Sequence, residues 1–133
     1  MMTPKKPTGG LRHVALFVKK FDECQHFYVT LLGMEIVWQP DADNLYLSSG
    51  NDNLALHRAK PDFVRPTHQS LDHIGFIIDE IDEVDVWHEY LSAEGVVIKM
   101  KPKTHRDDAR SFYCEDPDGN HVQVIYIPGV SAG

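Results

Sequence analysis

Two histidines stand in matching surroundings sixty residues apart. His13 lies in Leu11-Arg12-His13-Val14-Ala15-Leu16-Phe17-Val18, and His73 lies in Leu71-Asp72-His73-Ile74-Gly75-Phe76-Ile77-Ile78. Each imidazole heads an apolar run with the length and β-branched content of a buried strand. A small residue two places on, Ala15 or Gly75, shares the histidine's side of the strand and leaves open space beside the ring. Imidazole nitrogens joined by an oxygen donor suit Zn, Fe, Mn or Ni, with a coordination position left for substrate.

The histidines belong to a larger repeat. At the same offset Leu11 and Leu71, Asp22 and Asp82, Glu23 and Glu83, and Leu31 and Leu91 are identical pairs. At an offset of sixty-seven, Tyr46 meets Tyr113 and Asn53 meets Asn120. Each half reads as βαβββ. The first has strands over Leu11–Val18, Glu35–Gln39, Asn44–Ser48 and Asn53–Arg58. Its helix opens on a capping box, Asp22 to Gln25, and closes at Gly33. The second has strands over Leu71–Ile78, Val96–Met100, Ser111–Glu115 and His121–Ile127. Its helix runs from Asp82 to Ala93, with Val86, Trp87, Tyr90 and Leu91 inward. The Pro-containing stretch Lys60–Ser70 links the halves. The expected architecture is α+β: one domain over residues 1–133, with halves at about 11–60 and 71–127 that share a core.

Strand alternation sorts the remaining candidates. Val122, Val124 and Tyr126 belong under a helix, as do Phe112 and Cys114, which leaves Gln123 and Tyr113 on the histidine side. In the first half Leu54 and Leu56 face the helix, so Ala55 and His57 face away. The strict offset would instead match Leu56 to Gln123, and alternation requires a one-residue difference in loop length. His13, His73, Gln123 and Tyr113 therefore form the candidate site, with His57 as a further member. In the loop Lys101–Arg110, Arg110 is the better candidate for binding an anionic group. The other histidines, His88 among them, read as solvated, Trp87 and Tyr90 as core, and Cys114 as an inert buried thiol.

Composition excludes several classes. The chain has 133 residues, 42% apolar and 25% charged, with a formal charge of −7. That acidity argues against nucleic acid, which needs clustered Lys and Arg. Cys24 and Cys114, the two cysteines, form no close pair, which argues against a disulfide framework or a thiolate zinc site. No run is long enough for a membrane helix, and residues 1–10 lack a signal-peptide core, so a cytoplasmic protein is expected.

The duplicated plan resembles the vicinal oxygen chelate superfamily, which includes glyoxalase I, fosfomycin-resistance enzymes, extradiol dioxygenases, methylmalonyl-CoA epimerase and bleomycin-binding proteins. Leu11-Arg12-His13-Val14, Leu71-Asp72-His73-Ile74 and the stretch from Phe112 through Asp116-Pro117-Asp118-Gly119-Asn120 to Val124 carry the resemblance, over about residues 11–127. It implies a cup-shaped mixed sheet with helices outside, a homodimer and a small-molecule substrate with neighbouring oxygens. It implies a divalent ion (Zn, Mn, Ni or Fe) on His13, His73 and Gln123, where the family normally has Glu at the last position. A neutral amide brings a carbonyl dipole instead of a charge. A fourth-strand Glu used by glyoxalase I and the epimerase corresponds to Ala55. Tyr113, ten residues before Gln123, matches the tyrosine of the fosfomycin-resistance and dioxygenase branches and implies a catalytic hydrogen bond to a substrate oxygen. His57 and Arg110 remain as substrate contacts. The implied chemistry is that of a lyase, isomerase, dioxygenase or thiol transferase. The alternative is a metal-free binding protein of the bleomycin-resistance kind.

Overall fold

The computed structural model describes residues 2–131. The chain resolves into two compact units divided between Phe63 and Val64, inside the expected linker.

The first unit runs β1 (His13–Val18), α1 (Phe21–Gln25), a π-helical segment (His26–Leu31), β2 (Glu35–Asp41), β3 (Asn44–Ser48) and β4 (Asn53–Arg58). Its four strands are ordered β1-β4-β3-β2, with β1 parallel to β4 and the other neighbours antiparallel. The second unit runs β5 (Ile74–Ile77), α2 (Glu83–Ala93), β6 (Ile98–Thr104), β7 (Arg110–Glu115) and β8 (His121–Tyr126). Its order is β5-β8-β7-β6, with β5 parallel to β8. Each unit is βαβββ, as the repeat requires.

Alternation places the core. Leu16, Val18, Leu54 and Leu56 are buried in the first sheet, and Phe112, Cys114, Val122 and Val124 in the second. Each large apolar side chain removed from water contributes about 1.5–3 kcal/mol. Register also bears out the one-residue difference. Ala55 lies between Ala15 and Tyr46, as Gln123 lies between Gly75 and Tyr113. Ala55 is thus the first-unit counterpart of Gln123.

Three local expectations are corrected. The first helix begins two residues early: the Cys24 amide bonds the Lys20 carbonyl, and Lys20 stands at the N-cap in place of the expected Asp22, with buried Phe21 as the first residue. Asp22 therefore sits in the first turn, where the positive end of the helix favours it, and no side chain caps that end. The helix then widens, with the Leu32 amide reaching back to Phe27. Gly33, at φ +81°, ends the segment in the left-handed region that glycine tolerates. In α2 the buried positions are Val84 and Leu91, while Val86 and Tyr90 are exposed. The inward stripe is rotated from the expected one because His88 packs edge-on against Phe112, ring centroids 5.4 Å apart. His88 is consequently not a solvated residue.

Neither cysteine is in a disulfide, and both are buried. Burial, followed by the charges of Asp116 and Glu115, pushes the Cys114 thiol up to about 12. At about pH 8 only one thiol in roughly ten thousand is then ionised. Iodoacetamide at that pH is expected to leave Cys114 unmodified in the folded protein and to label it once urea unfolds the chain, which peptide mass spectrometry would show.

Candidate functional site

The repeated leucines are not part of the strands. Leu11 is almost fully exposed and Leu71 about half exposed, so each histidine stands at or just before the start of its strand. His73 precedes β5 and is half-buried. Its Nδ1 lies 2.7 Å from Asp72 Oδ2. A carboxylate can only accept, so Nδ1 carries a proton, and in the neutral ring Nε2 keeps its lone pair for a metal or a substrate proton. The Tyr113 ring meets the His73 ring edge-on, centroids 5.1 Å apart.

Gln123 is the partner of Tyr113 across β7–β8 and of Gly75 across β5–β8. The residue is 9% exposed, and its side-chain Nε2 donates to Ser111 Oγ at 3.1 Å. Its Oε1 points to Gly75, 3.9 Å from where a Cβ would stand there. The absent side chain leaves the amide oxygen uncovered. Beside Tyr113, Gln123 and Ile125 opens a cavity of about 650 Å³, walled on its other side by Lys103 to Asp107 and Ala109 of the β6–β7 hairpin. Lys103 and Arg106 are exposed cations on that wall.

In the first unit the His13 Nδ1 lies 2.8 Å from Asn53 Oδ1, which likewise leaves Nε2 free. His57 Nδ1 lies 2.6 Å from Asn44 Oδ1, and its ring sits between Phe17 and Tyr46, at 6.0 and 5.9 Å. His57 is not beside His13. The partner of His13 on β4 is Asn53, four residues before His57, or about 13 Å along the strand.

Arg110 shares the helix-facing side of β7 with Phe112 and Cys114, opposite Tyr113. Its Nε and Nη2 donate to Asp85 of α2, each at 2.8 Å, and Nη1 donates to Thr104. The guanidinium expected for substrate is instead committed to α2. That hydrogen bond holds the Asp85 carboxyl below its ordinary 3.8. The pair therefore adds stability above the ordinary aspartate range and loses it as the pH falls through the lowered value. Asp85 is half-exposed, so the amount is small.

Sequence reasoning assigned no role to three groups here. Ser111 is fully buried and bonds both Gln123 and His105. Asp116, 3% exposed, accepts from the amides of Asp118 and Asn120 and from the Asn120 side chain, each at 2.9 Å. Arg65, from the linker, clasps the same turn through the carbonyls of Asp118 and Gly119 and the Asn120 side chain. These contacts set the start of β8 and so the position of Gln123.

Among the described residues no three His, Cys, Asp or Glu side chains cluster as a metal site. The candidate residues present one free imidazole nitrogen at His73 and one free amide oxygen at Gln123 in the second unit, and a free imidazole nitrogen at each of His13 and His57 in the first. Such nitrogen and oxygen donors fit a borderline divalent ion. No helix among the described residues is long and apolar enough to cross a membrane.

A family model described as the Glyoxalase/Bleomycin resistance protein/Dioxygenase superfamily matches residues 10–124. The metallothiol transferase FosB of Staphylococcus epidermidis is 26% identical over 116 residues, covering 86% of this chain and 80% of that protein. A lactoylglutathione lyase structure from Agrobacterium tumefaciens superposes with a TM-score of 0.73 at 24% identity, covering 92% of this chain and 96% of that one. A glyoxalase-related enzyme from Fulvimarina pelagi gives a TM-score of 0.74 at 15% identity, covering 93% and 95%.

Proposed function

The chain belongs to the glyoxalase/bleomycin resistance protein/dioxygenase superfamily, and from that premise we propose that it is a metal-dependent enzyme acting on a small molecule with neighbouring oxygens. The observation that carries this reading is the paired exposure of donors in the second unit. The His73 ring is held by Asp72 with Nε2 free, and the Gln123 amide is held by Ser111 with its oxygen free. His13, His73 and Gln123 are the proposed donors. A divalent ion (Zn, Mn, Ni or Fe) would supply Lewis-acid chemistry at neighbouring substrate oxygens. Tyr113 is the proposed catalytic residue, its phenol donating a hydrogen bond to the oxygen on which charge develops. The open face beside Gly75 and the adjoining cavity accommodate the substrate. His57 is a proposed further contact through its free Nε2, whereas Arg110 is not retained. Relatives named as a metallothiol transferase and a lactoylglutathione lyase favour thiol-transfer or lyase chemistry within this class. A cytoplasmic homodimer completes the reading.

A second reading, a metal-free binding protein, is favoured by Gln123 and by Ala55, its counterpart in register, since neither brings a carboxylate. Acetohydroxamate, which presents two neighbouring oxygens, separates the two. Calorimetry is expected to show binding to protein loaded with Mn(II) or Zn(II) and none after chelation. Equal binding in both states would favour the metal-free reading.

A further inference from the structure

We infer that Gln123, Ser111 and His105 form a hydrogen-bonded relay of fixed direction, in which Ser111 and His105 are positioning residues for the Gln123 amide oxygen. The inference rests on the proposed reading of Gln123 as a donor of the site. A serine hydroxyl has one proton and two acceptor lone pairs. The Gln123 amide takes one lone pair of Ser111, at 3.1 Å, and His105 Nε2 lies 3.0 Å from the same oxygen. Ser111 is fully buried, so a hydroxyl proton without an acceptor would be costly. The arrangement that satisfies every group sends the Ser111 proton to His105 Nε2 and leaves the His105 proton on Nδ1. The direction is then Gln123 N–H to Ser111 O–H to His105. The amide nitrogen is anchored at Ser111, and Oε1 is turned to the open side at Gly75.

This direction accounts for the glutamine. A carboxylate at position 123 offers Ser111 only acceptors. The hydroxyl would have to turn toward it, and His105 would have to move its proton to Nε2 to donate in turn. Glutamine thus fits the relay as it stands, and glutamate fits only its reverse. The relay also ties the amide to the β6–β7 hairpin, where the His105 amide bonds the Ala109 carbonyl at 2.7 Å and residues on both sides of His105 wall the cavity.

The test reads ring nitrogen shifts of His105 by nitrogen NMR in metal-free protein at alkaline pH, for the wild type and Gln123→Glu. The expected result is Nδ1–H in the wild type and Nε2–H in the variant. An Nε2–H wild type, or the same tautomer in both, overturns the relay. Mn(II) titration of Ser111→Ala, Ser111→Thr and Gln123→Ala adds a second readout. Ser111→Ala is expected to bind Mn(II) about 10- to 100-fold more weakly, with Ser111→Thr recovering most of the loss. Unchanged affinity in Ser111→Ala, with a loss in Gln123→Ala, overturns the relay alone. Unchanged affinity in Gln123→Ala overturns the parent reading of Gln123 as a metal donor, and the tautomer result still decides the relay.

Discussion

His73→Ala is expected to lower the affinity for Mn(II) or Zn(II) by about a hundredfold or more, since it removes a direct donor where loss of an outer partner alone costs 10- to 100-fold. The side chain is 31% exposed and contacts Tyr113 by ring edge only. Unfolding free energy should therefore change by no more than about 0.5 kcal/mol. That split separates a ligand from a structural histidine, which would lose stability and leave affinity alone. Asp72→Asn tests the same residue from outside. It weakens the partner that keeps the proton on Nδ1, and its effect should be smaller, about tenfold. Isothermal titration of the metal-free proteins, beside urea unfolding, gives both numbers. Intact affinity in His73→Ala would remove His73 from the donor set.

Asp116→Ala is expected to destabilise the protein by about 3 kcal/mol, the largest effect predicted outside the apolar core. The substitution leaves the amides of Asp118 and Asn120 and the Asn120 side chain without the acceptor they now share. Each unpaired buried donor costs about 1–3 kcal/mol, and the sum is reduced because residues 117–120 are only half-buried and water can reach some of them. Arg65 acts on the outside of the same turn through its carbonyls, so it cannot replace the missing carboxylate. Urea unfolding should show a lower midpoint with an unchanged slope. A shift below about 0.5 kcal/mol, the range of ordinary surface substitutions, would mean that the carboxylate is not the organising group of the turn. The turn leads directly into β8, so the variant should also weaken metal binding, although Asp116 is not itself a proposed donor.

Much of this site is visible in the amino-acid order because it follows from local rules. Alternation alone separates Gln123 from Val122 and Val124, and Tyr113 from Phe112 and Cys114. The same rule selects Ala55 over Leu56 as the counterpart of Gln123, as the register confirms. What alternation does not reveal is pairing between distant side chains. Arg110 reads as a free loop arginine until α2 brings Asp85, twenty-five residues away, against it. Arg65 lies in a Pro-containing linker and its partners lie more than fifty residues on. Ser111 is an ordinary polar strand residue until burial makes its single proton count. The α2 stripe misleads for a related reason: Val86, Trp87, Tyr90 and Leu91 have helical spacing, yet packing chooses Val84 and Leu91 and admits His88 against Phe112. Apolar spacing names the helix; the sheet beneath decides which face it buries.

The proposal that His13, His73 and Gln123 are donors to a divalent ion is tested most directly by metal stoichiometry. Protein purified without chelator, or stripped and reloaded with Mn(II) or Zn(II), should carry close to one equivalent per chain by elemental analysis, and His13→Ala, His73→Ala and Gln123→Ala should each lower it. A wild-type protein that holds no stoichiometric metal and takes up none on reloading would contradict the proposal.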